Sequence, residues 1–302
     1  MYDVIIVGGG VSAFAAALYS GRFHMKTLLL GETLGGTIIL TDKVDNYPGF
    51  SSISGQDLFD KIRKHAEEYD IEVKEEKVEA VEKKDDLFTV KSLDGSYEAK
   101  TVIIATGTEW RKLKVPGEKE FTGNGVHYCA LCDGYIYDGK TVAIVGGSDS
   151  AAKEALLLSE YAKKVYMIYR KEKIRAEPIN AKKVEENQKI EIITNTNITQ
   201  IKGGEVVDRV VLDREHEGSY ELPVDGVFID IGHIPISQLV QGTGVKMNEK
   251  GEILTEKSGA TNVPGLYAAG DVGNHIFKQA ITGVGEGVSA AFSAYRFVNR
   301  HS

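Results

Sequence analysis

The sequence predicts an α/β fold made of two similar halves, each organised around a parallel sheet. Three observations carry this. Residues 3–10 (DVIIVGGG) and 141–148 (TVAIVGGS) are both short β-branched runs that meet a Gly-Gly pair. Each is followed by an alanine-rich segment of helical character, VSAFAAALYSG and DSAAKEALLLS. Each of those leads to another apolar run, 27–30 in one half and 165–169 in the other. Strand, glycine loop, helix and strand in that order is the pattern of a βαβ unit, and so of a parallel sheet. The length of 302 residues agrees with two domains at about 150 residues each. One large domain with a chance internal likeness is the plainer alternative, but element order matches as well as glycine spacing.

The remaining elements follow in order. Residues 79–83, 87–91 and 97–100 alternate polar and apolar side chains around an Asp94-Gly95 turn. Period-2 alternation with such a turn predicts a small antiparallel meander. It leads into 101–107, TVIIATG. In the second half 190–193, 206–212 and 220–222 take the corresponding part and lead into 226–232, GVFIDIG. The chain closes on an apolar strand at 266–269, stopped by Gly270-Asp271, and a helix from about Gln279 to Asn299.

Composition narrows the function classes. There are 36 basic and 44 acidic residues, a net charge of −8. This argues against nucleic acid or an anionic membrane as the main partner. No apolar stretch approaches the roughly 20 residues that cross a bilayer. The first ten residues read as strand and glycine loop rather than as a secretion signal, so the expected compartment is the cytoplasm. Glycine is in surplus, 33 of 302 residues against a usual ~7%. The two cysteines, Cys129 and Cys132, are too few for a disulfide scaffold.

Gly8, Gly10 and Ala13 fit the pattern G-x-G-x-x-A. The first glycine permits a tight turn, the second a close backbone approach to a pyrophosphate, and the alanine a close helix–strand contact. The helix start then offers unpaired N–H groups to the phosphates. These features point to a dinucleotide, FAD by its place in the chain. The second loop has Gly146, Gly147 and Ala151, with Ser148 where the second fingerprint glycine belongs. Twenty-four residues after Gly8 stands Glu32, and twenty-four after Gly146 stands Arg170. A carboxylate there suits a free ribose 2′-OH, and basic groups suit a 2′-phosphate. Arg170, Lys171 and Arg175 therefore favour NADPH over NADH at the second loop.

The cysteines sit in residues 127–134, HYCALCDG. A C-x-x-C pair can be a redox disulfide, part of a zinc site or two inert thiols. Zinc calls for four ligands, and His127 is the one nearby candidate beyond the pair. Two dinucleotide loops supply an electron path, which favours the redox reading. Asp133 is then placed to exchange protons with a thiol. Asp271, at a strand end before the last helix, can hold a ribityl hydroxyl, and that helix start would stabilise charge on a reduced flavin. His65, His216 and His301 lie in polar runs and take no role in this reading. His233 and His275 lie in motif segments and take none either.

Over nearly its full length the chain resembles the low-molecular-weight thioredoxin reductases, FAD-dependent pyridine-nucleotide disulfide oxidoreductases. The matching segments are the first glycine loop, GGT at 35–37, DNYPG at 45–49, IIATG at 103–107, CALCDG, the second glycine loop, YRKEKIR at 169–175, IGHIP at 231–235 and the PGLYAAGD…KQA tail. The resemblance implies two Rossmann-like three-layer (ββα) dinucleotide-binding domains, the second inserted into the first. Residues 1–112 and 240–302 form the FAD domain, and 113–239 the NAD(P)H domain carrying the disulfide. It implies FAD contacts from Gly8, Gly10, Ser12, Ala13, Glu32, Gly36, Thr37, Asn46, Ala105, Thr106, Gly107, Gly270, Asp271, Lys278, Gln279 and Ala280. It implies NADPH contacts from Gly146, Gly147, Ser148, Asp149, Ser150, Arg170, Lys171 and Arg175. NADPH would reduce FAD, and FAD the disulfide, with Cys132 nearer the flavin. Cys129 would attack thioredoxin or a thioredoxin-like protein, and Asp133 would serve as acid and base. A homodimer is implied, as is rotation of the inserted domain about linkers near 111–116 and 234–242.

The chain departs from the family pattern at Val11-Ser12-Ala13, Thr37, Leu131, Ser148, Lys171 and Lys278. The last three bear on the nicotinamide site, and Lys171 lacks the bidentate fork of an arginine. They leave open NADH or ferredoxin as donor. A peroxiredoxin system or a small dithiol remains an alternative acceptor partner. A non-enzymatic nucleotide-binding redox sensor is the alternative from another class.

Overall fold

The computed structural model describes residues 1–40, 44 and 46–300; Asp45 of the DNYPG segment and His301 lie outside them. The chain forms two compact units, Met1–Glu109 with Ile234–Ser302, and Trp110–His233. The second is therefore an insertion in the first.

The first unit starts with β1 (Tyr2–Val7), whose last four residues are buried. Its β-branched run suits a strand covered on both faces. After the glycines comes α1 (Val11–Arg22), where the run 13–17 is buried. Alanine there gives helix propensity without bulk, so the helix lies close on the sheet. Next come β2 (Thr27–Leu30), wholly buried, and α2 (Gly55–Ala66), capped by Ser54 Oγ accepting from the Asp57 N–H. Phe14 of α1 meets Phe59 of α2 edge-on, ring centres 5.2 Å apart. Then follow β3 (Ile71–Lys74), β4 (Val78–Lys84), β5 (Leu87–Ser92), β6 (Ser96–Ile104) and the short β7 (Thr108–Trp110). The sheet order is β3-β2-β1-β6-β5-β4. The third meander strand and the TVIIATG strand, read as separate elements from sequence, are the single strand β6. Its first part pairs antiparallel with β5 (Phe88 opposite Ala99), and its second part pairs parallel with β1 (Val4 opposite Thr101). No turn residue separates the two parts, so the backbone continues without a break.

The inserted unit runs β8 (Val126–His127), α3 (Ala130–Asp133), β9 (Thr141–Val145), α4 (Asp149–Tyr161), β10 (Lys164–Tyr169) and α5 (Pro178–Glu186). It continues with β11 (Ile190–Thr194), β12 (Ile198–Gly203), β13 (Val207–His216), β14 (Ser219–Pro223) and β15 (Gly226–Ile229). One sheet, in order β11-β10-β9-β15-β8, is parallel throughout. The other, β12-β13-β14, is antiparallel. This corrects the expected placement of 190–193. That run is the outer strand of the parallel sheet, in register with β10 (Val165 opposite Ile190), and not part of the meander. The first meander strand is instead β12, where Thr, Gln and Lys dilute the alternation and two register shifts break it.

The chain returns through β16 (His233–Pro235), which pairs with β7, and β17 (Leu266–Ala268), which extends the first sheet beside β6. It ends in α6 (Ala280–Arg300). That helix crosses α1 closely. A Cβ on Gly287 would stand 2.2 Å from the Ser12 carbonyl oxygen, and one on Gly283 2.5 Å from Ser12 Oγ. Among the described residues no helix is long and apolar enough to cross a membrane.

Candidate active site

In the inserted unit, β8 ends at His127 and the chain reaches Cys129 in extended conformation. Cys129 caps the one-turn helix α3, its Sγ accepting from the Cys132 N–H at 3.1 Å. The two cysteines form a disulfide with Cα atoms 5.3 Å apart, and both are partly exposed. Asp133 follows at the end of the turn. Its Oδ2 lies 2.9 Å from His127 Nδ1. The other ring nitrogen, Nε2, is 2.7 Å from the Tyr137 hydroxyl. The imidazole stacks on Phe228 of β15 and is nearly inaccessible. Burial first, then the charges of Asp133 and Asp225, push the Tyr137 phenol up to about 12. The arrangement offers a reducible disulfide with a carboxylate beside it, reachable from solvent.

Two further buried groups adjoin this loop. Burial, then the charge of Asp230, pushes the Glu154 carboxyl of α4 up to about 8, against the hydrogen bond that the Ala130 N–H donates to it. Glu154 Oε2 and Asp230 Oδ2 are buried with no hydrogen-bond partner among the described residues. In the unfolded chain this carboxyl titrates near 4.5. Its protonated form therefore stabilises the fold fully below that pH, and the contribution is lost as pH rises towards 8. Glu154→Gln is thus expected to raise the Tm over the parent at pH 8, by roughly 5 °C, and hardly at pH 5. Thermal melts at the two pH values check it. An equal change at both would show that the carboxyl carries its charge in the fold.

The second glycine loop lies over the ends of β9 and β15. A Cβ on Gly146 would stand 2.1 Å from the Asp230 carbonyl oxygen, and one on Gly147 2.4 Å from the Tyr169 ring. Backbone alone fits there. Ser148 caps α4, its Oγ accepting from the Ala151 N–H at 3.2 Å. The Asp149 carboxylate accepts from the Glu177 N–H and Asn180 Nδ2, which ties α4 to α5. Arg175 is drawn onto the loop, its N–H donating to the Gly147 carbonyl and its Nε to the Tyr169 hydroxyl at 3.1 Å. Ser150, Arg170 and Lys171 are exposed.

The first unit holds the other cradle. A Cβ on Gly8 would meet the Ala105 carbonyl oxygen at 2.1 Å, and one on Gly9 that of Thr33 at 2.2 Å. At Gly10 the nearest atom would be 3.9 Å away, so this position opens onto free space. Gly10 also begins α1 without a side-chain cap. The loop at Gly35 and Gly36 folds back on it, the Gly35 N–H donating to the Gly9 carbonyl at 2.8 Å. Thr37 is exposed beside them. Uncapped helix amides facing a side-chain-free cradle suit a dinucleotide pyrophosphate, so these residues fit FAD.

Around this cradle, several of the residues singled out from sequence come together. Asn46 Nδ2 donates to Gln279 Oε1 across 2.9 Å, just before Ala280 opens α6. The Thr106 hydroxyl donates to the Ile236 carbonyl, and the Gly107 carbonyl accepts from the Ile236 N–H. Ala13 and Ala105 are buried. Gly270 (φ +74°) leaves no room for a side chain, because a Cβ would approach Ser12 Oγ to 2.5 Å. Ser12 thus packs among the glycines of the α1–α6 crossing. Glu32 is exposed and paired with Lys77 at 2.7 Å. Lys278 donates to Glu252 and to the Asp271 carbonyl, so it braces that turn. Glu286, whose Oε2 accepts from the Gly270 N–H and lies 3.2 Å from His275 Nε2, carried no signal in the sequence. Nor did Glu252 and Glu154. His127 had a signal, its nearness to the cysteines.

Comparison with known proteins came to the same chemistry. The family model described as pyridine nucleotide-disulphide oxidoreductase matches residues 2–287. A thioredoxin reductase of Mycolicibacterium smegmatis is 39% identical over 302 residues, 99% of this chain and 97% of that protein. The crystal structure of Lactococcus lactis thioredoxin reductase superposes with a TM-score of 0.93 at 36% identity, covering 99% of this chain and 100% of that one. A ferredoxin-flavin thioredoxin reductase from Clostridium acetobutylicum is also similar, with a TM-score of 0.56 at 33% identity over 99% and 98% of the two chains.

Proposed function

The chain belongs to the pyridine nucleotide-disulphide oxidoreductase family, and from that premise we propose that it is a thioredoxin-disulfide reductase fed by NADPH. The observation that carries this is the Cys129–Cys132 disulfide at the partly exposed start of α3, with Asp133 directly after it. Gly8, Gly10, Ala13, Glu32, Gly36, Thr37, Asn46, Thr106, Gly107, Asp271, Gln279 and Ala280 would hold FAD. The second glycine loop, with Arg170, Lys171 and Arg175, would hold NADPH. FAD supplies a two-electron carrier between a nicotinamide and a disulfide.

The chain's own residues do the rest. In the reduced pair the Cys129 thiolate attacks one sulfur of the partner's disulfide, and the other partner sulfur leaves. The Cys132 thiolate then attacks Cys129 Sγ of the mixed disulfide. The pair re-forms and the second partner sulfur departs. Two electrons pass to the partner, and Asp133 moves the protons between enzyme thiols and departing thiolates. The reading includes a cytoplasmic homodimer.

A second reading keeps the disulfide chemistry and changes the donor to NADH or ferredoxin. Ser148 favours it. Its hydroxyl takes one of the α4 amides that a pyrophosphate would use. Anaerobic titration of the FAD-loaded protein with NADPH, NADH and reduced ferredoxin, followed by a thioredoxin, separates the readings. Bleaching by ferredoxin alone would establish the second, and a protein that takes up no FAD would sink both. Where NADPH serves, Arg170→Ala is expected to raise its KM about tenfold and that of NADH less than about twofold. Steady-state kinetics with both donors check this. Equal effects would show that Arg170 does not read the 2′-phosphate.

A further inference from the structure

We propose that His127 is a positioning residue for disulfide exchange, holding the Asp133 carboxylate in place for proton transfer at the Cys129–Cys132 pair. The inference rests on the reading of that pair as the partner-reducing disulfide. It starts from a contrast in accessibility. Asp133 is partly exposed, whereas the His127 side chain is 5% exposed and Tyr137 is buried. A buried imidazole with both nitrogens engaged, stacked on Phe228, has a fixed ring plane. It therefore constrains the more exposed carboxylate, and not the reverse.

The proton on the ring can be placed. The Asp133 carboxylate oxygen can only accept, so the His127 nitrogen 2.9 Å from it carries the hydrogen, and the Tyr137 hydroxyl is left to donate to Nε2. Nδ1 is then the nitrogen that carries hydrogen and donates to Asp133 Oδ2. One carboxylate oxygen is held and its charge is supported, and the other serves the thiols. The remaining ionisable groups around the network leave this direction unchanged. Lys140 sits over the Tyr137 ring, and Asp225 accepts from the Thr141 N–H. Glu154 accepts from the Ala130 N–H of α3 and feels the charge of Asp230.

Each exchange step releases a thiolate that takes up a proton, two per partner disulfide, and both come from the enzyme's dithiol by way of Asp133. Dependence on Asp133 is then greatest for a poor leaving group. An alkyl thiolate needs its proton, whereas the aromatic thiolate of 5,5′-dithiobis(2-nitrobenzoic acid) leaves without one.

The test uses two isosteric variants of the full-length protein, reduced with dithiothreitol and desalted. His127→Asn keeps an amide nitrogen near the place of Nδ1, and so a donor to Asp133. His127→Gln places its nitrogen near Nε2 and keeps only the Tyr137 side. With 2-hydroxyethyl disulfide, Gln is expected to slow exchange about tenfold and Asn less than about threefold. With the aromatic disulfide both should stay within about twofold of the parent. Equal losses in both variants, or equal losses on both disulfides, would mean a purely structural histidine and overturn the inference alone. A reduced parent chain that reacts with neither disulfide would overturn the reading of the pair, and this inference with it.

Discussion

Cys129→Ser abolishes reduction of a partner disulfide while the donor still bleaches the flavin. The expected loss in partner turnover is at least about 10⁴-fold, because a serine hydroxyl at neutral pH neither attacks a disulfide nor closes one. The fold has little reason to change. Cys129 caps a single turn through its sulfur, and a serine oxygen caps at least as well. The measurement has two parts: anaerobic stopped-flow bleaching by NADPH, and release of partner thiols. Cys132→Ser is the complement. It too lacks the disulfide, so the donor still bleaches its flavin and no partner thiols are released, but it has lost the thiol assigned to the flavin side, so the thiolate–flavin charge-transfer band expected in Cys129→Ser should be missing. A long-wavelength charge-transfer band in Cys132→Ser, and none in Cys129→Ser, would exchange the two roles.

What could be read from sequence depended on whether a property was local. The glycine loops were legible, because a strand must turn sharply into a helix there and only backbone fits. Gly8 against Ala105 and Gly146 against Asp230 are the same contact in each unit. The cysteines were legible for the same reason: three residues of spacing set the geometry of one turn. The run 190–193 (IEII) was assigned to the wrong sheet, because four residues do not say which neighbour they will pair with. β6 was split because its pairing changes from antiparallel to parallel with no mark in the chain. Ser148 looked like a defect in a fingerprint and is a helix cap. The bond of Lys278 to Glu252, 26 residues away, had no mark in the chain. Glu286 and Glu154 left no trace, since a lone glutamate on a helix is ordinary until folding buries it. Side chains that act across the fold are set by burial and by remote partners, and neither has a period.

The first cradle yields the sharpest separation between fold and ligand. Gly8 and Gly10 are two residues apart in one motif, yet alanine at each should fail differently. At Gly8 the backbone has φ +137°, a region that L side chains rarely adopt, and the new methyl would stand 2.1 Å from the Ala105 carbonyl oxygen. That carbonyl cannot yield easily. Its residue is buried, and the Ala105 N–H donates to the Val7 carbonyl at 2.7 Å. Gly8→Ala should therefore destabilise the first unit by at least ~2 kcal/mol with or without cofactor. At Gly10 the nearest atom to the methyl is 3.9 Å away and the backbone is extended. The apo-protein should melt within a degree or two of the parent. The methyl would, however, fill the open space beside the uncapped start of α1. FAD affinity should fall by about 100-fold, and the purified protein should be nearly colourless. Apo melting curves and flavin binding on the two variants together check this. Normal FAD affinity in Gly10→Ala would mean that the first loop is a packing device and the pyrophosphate lies elsewhere. An unchanged Tm in Gly8→Ala would mean that the strand end at Ala105 gives way more readily than its hydrogen bond to β1 implies.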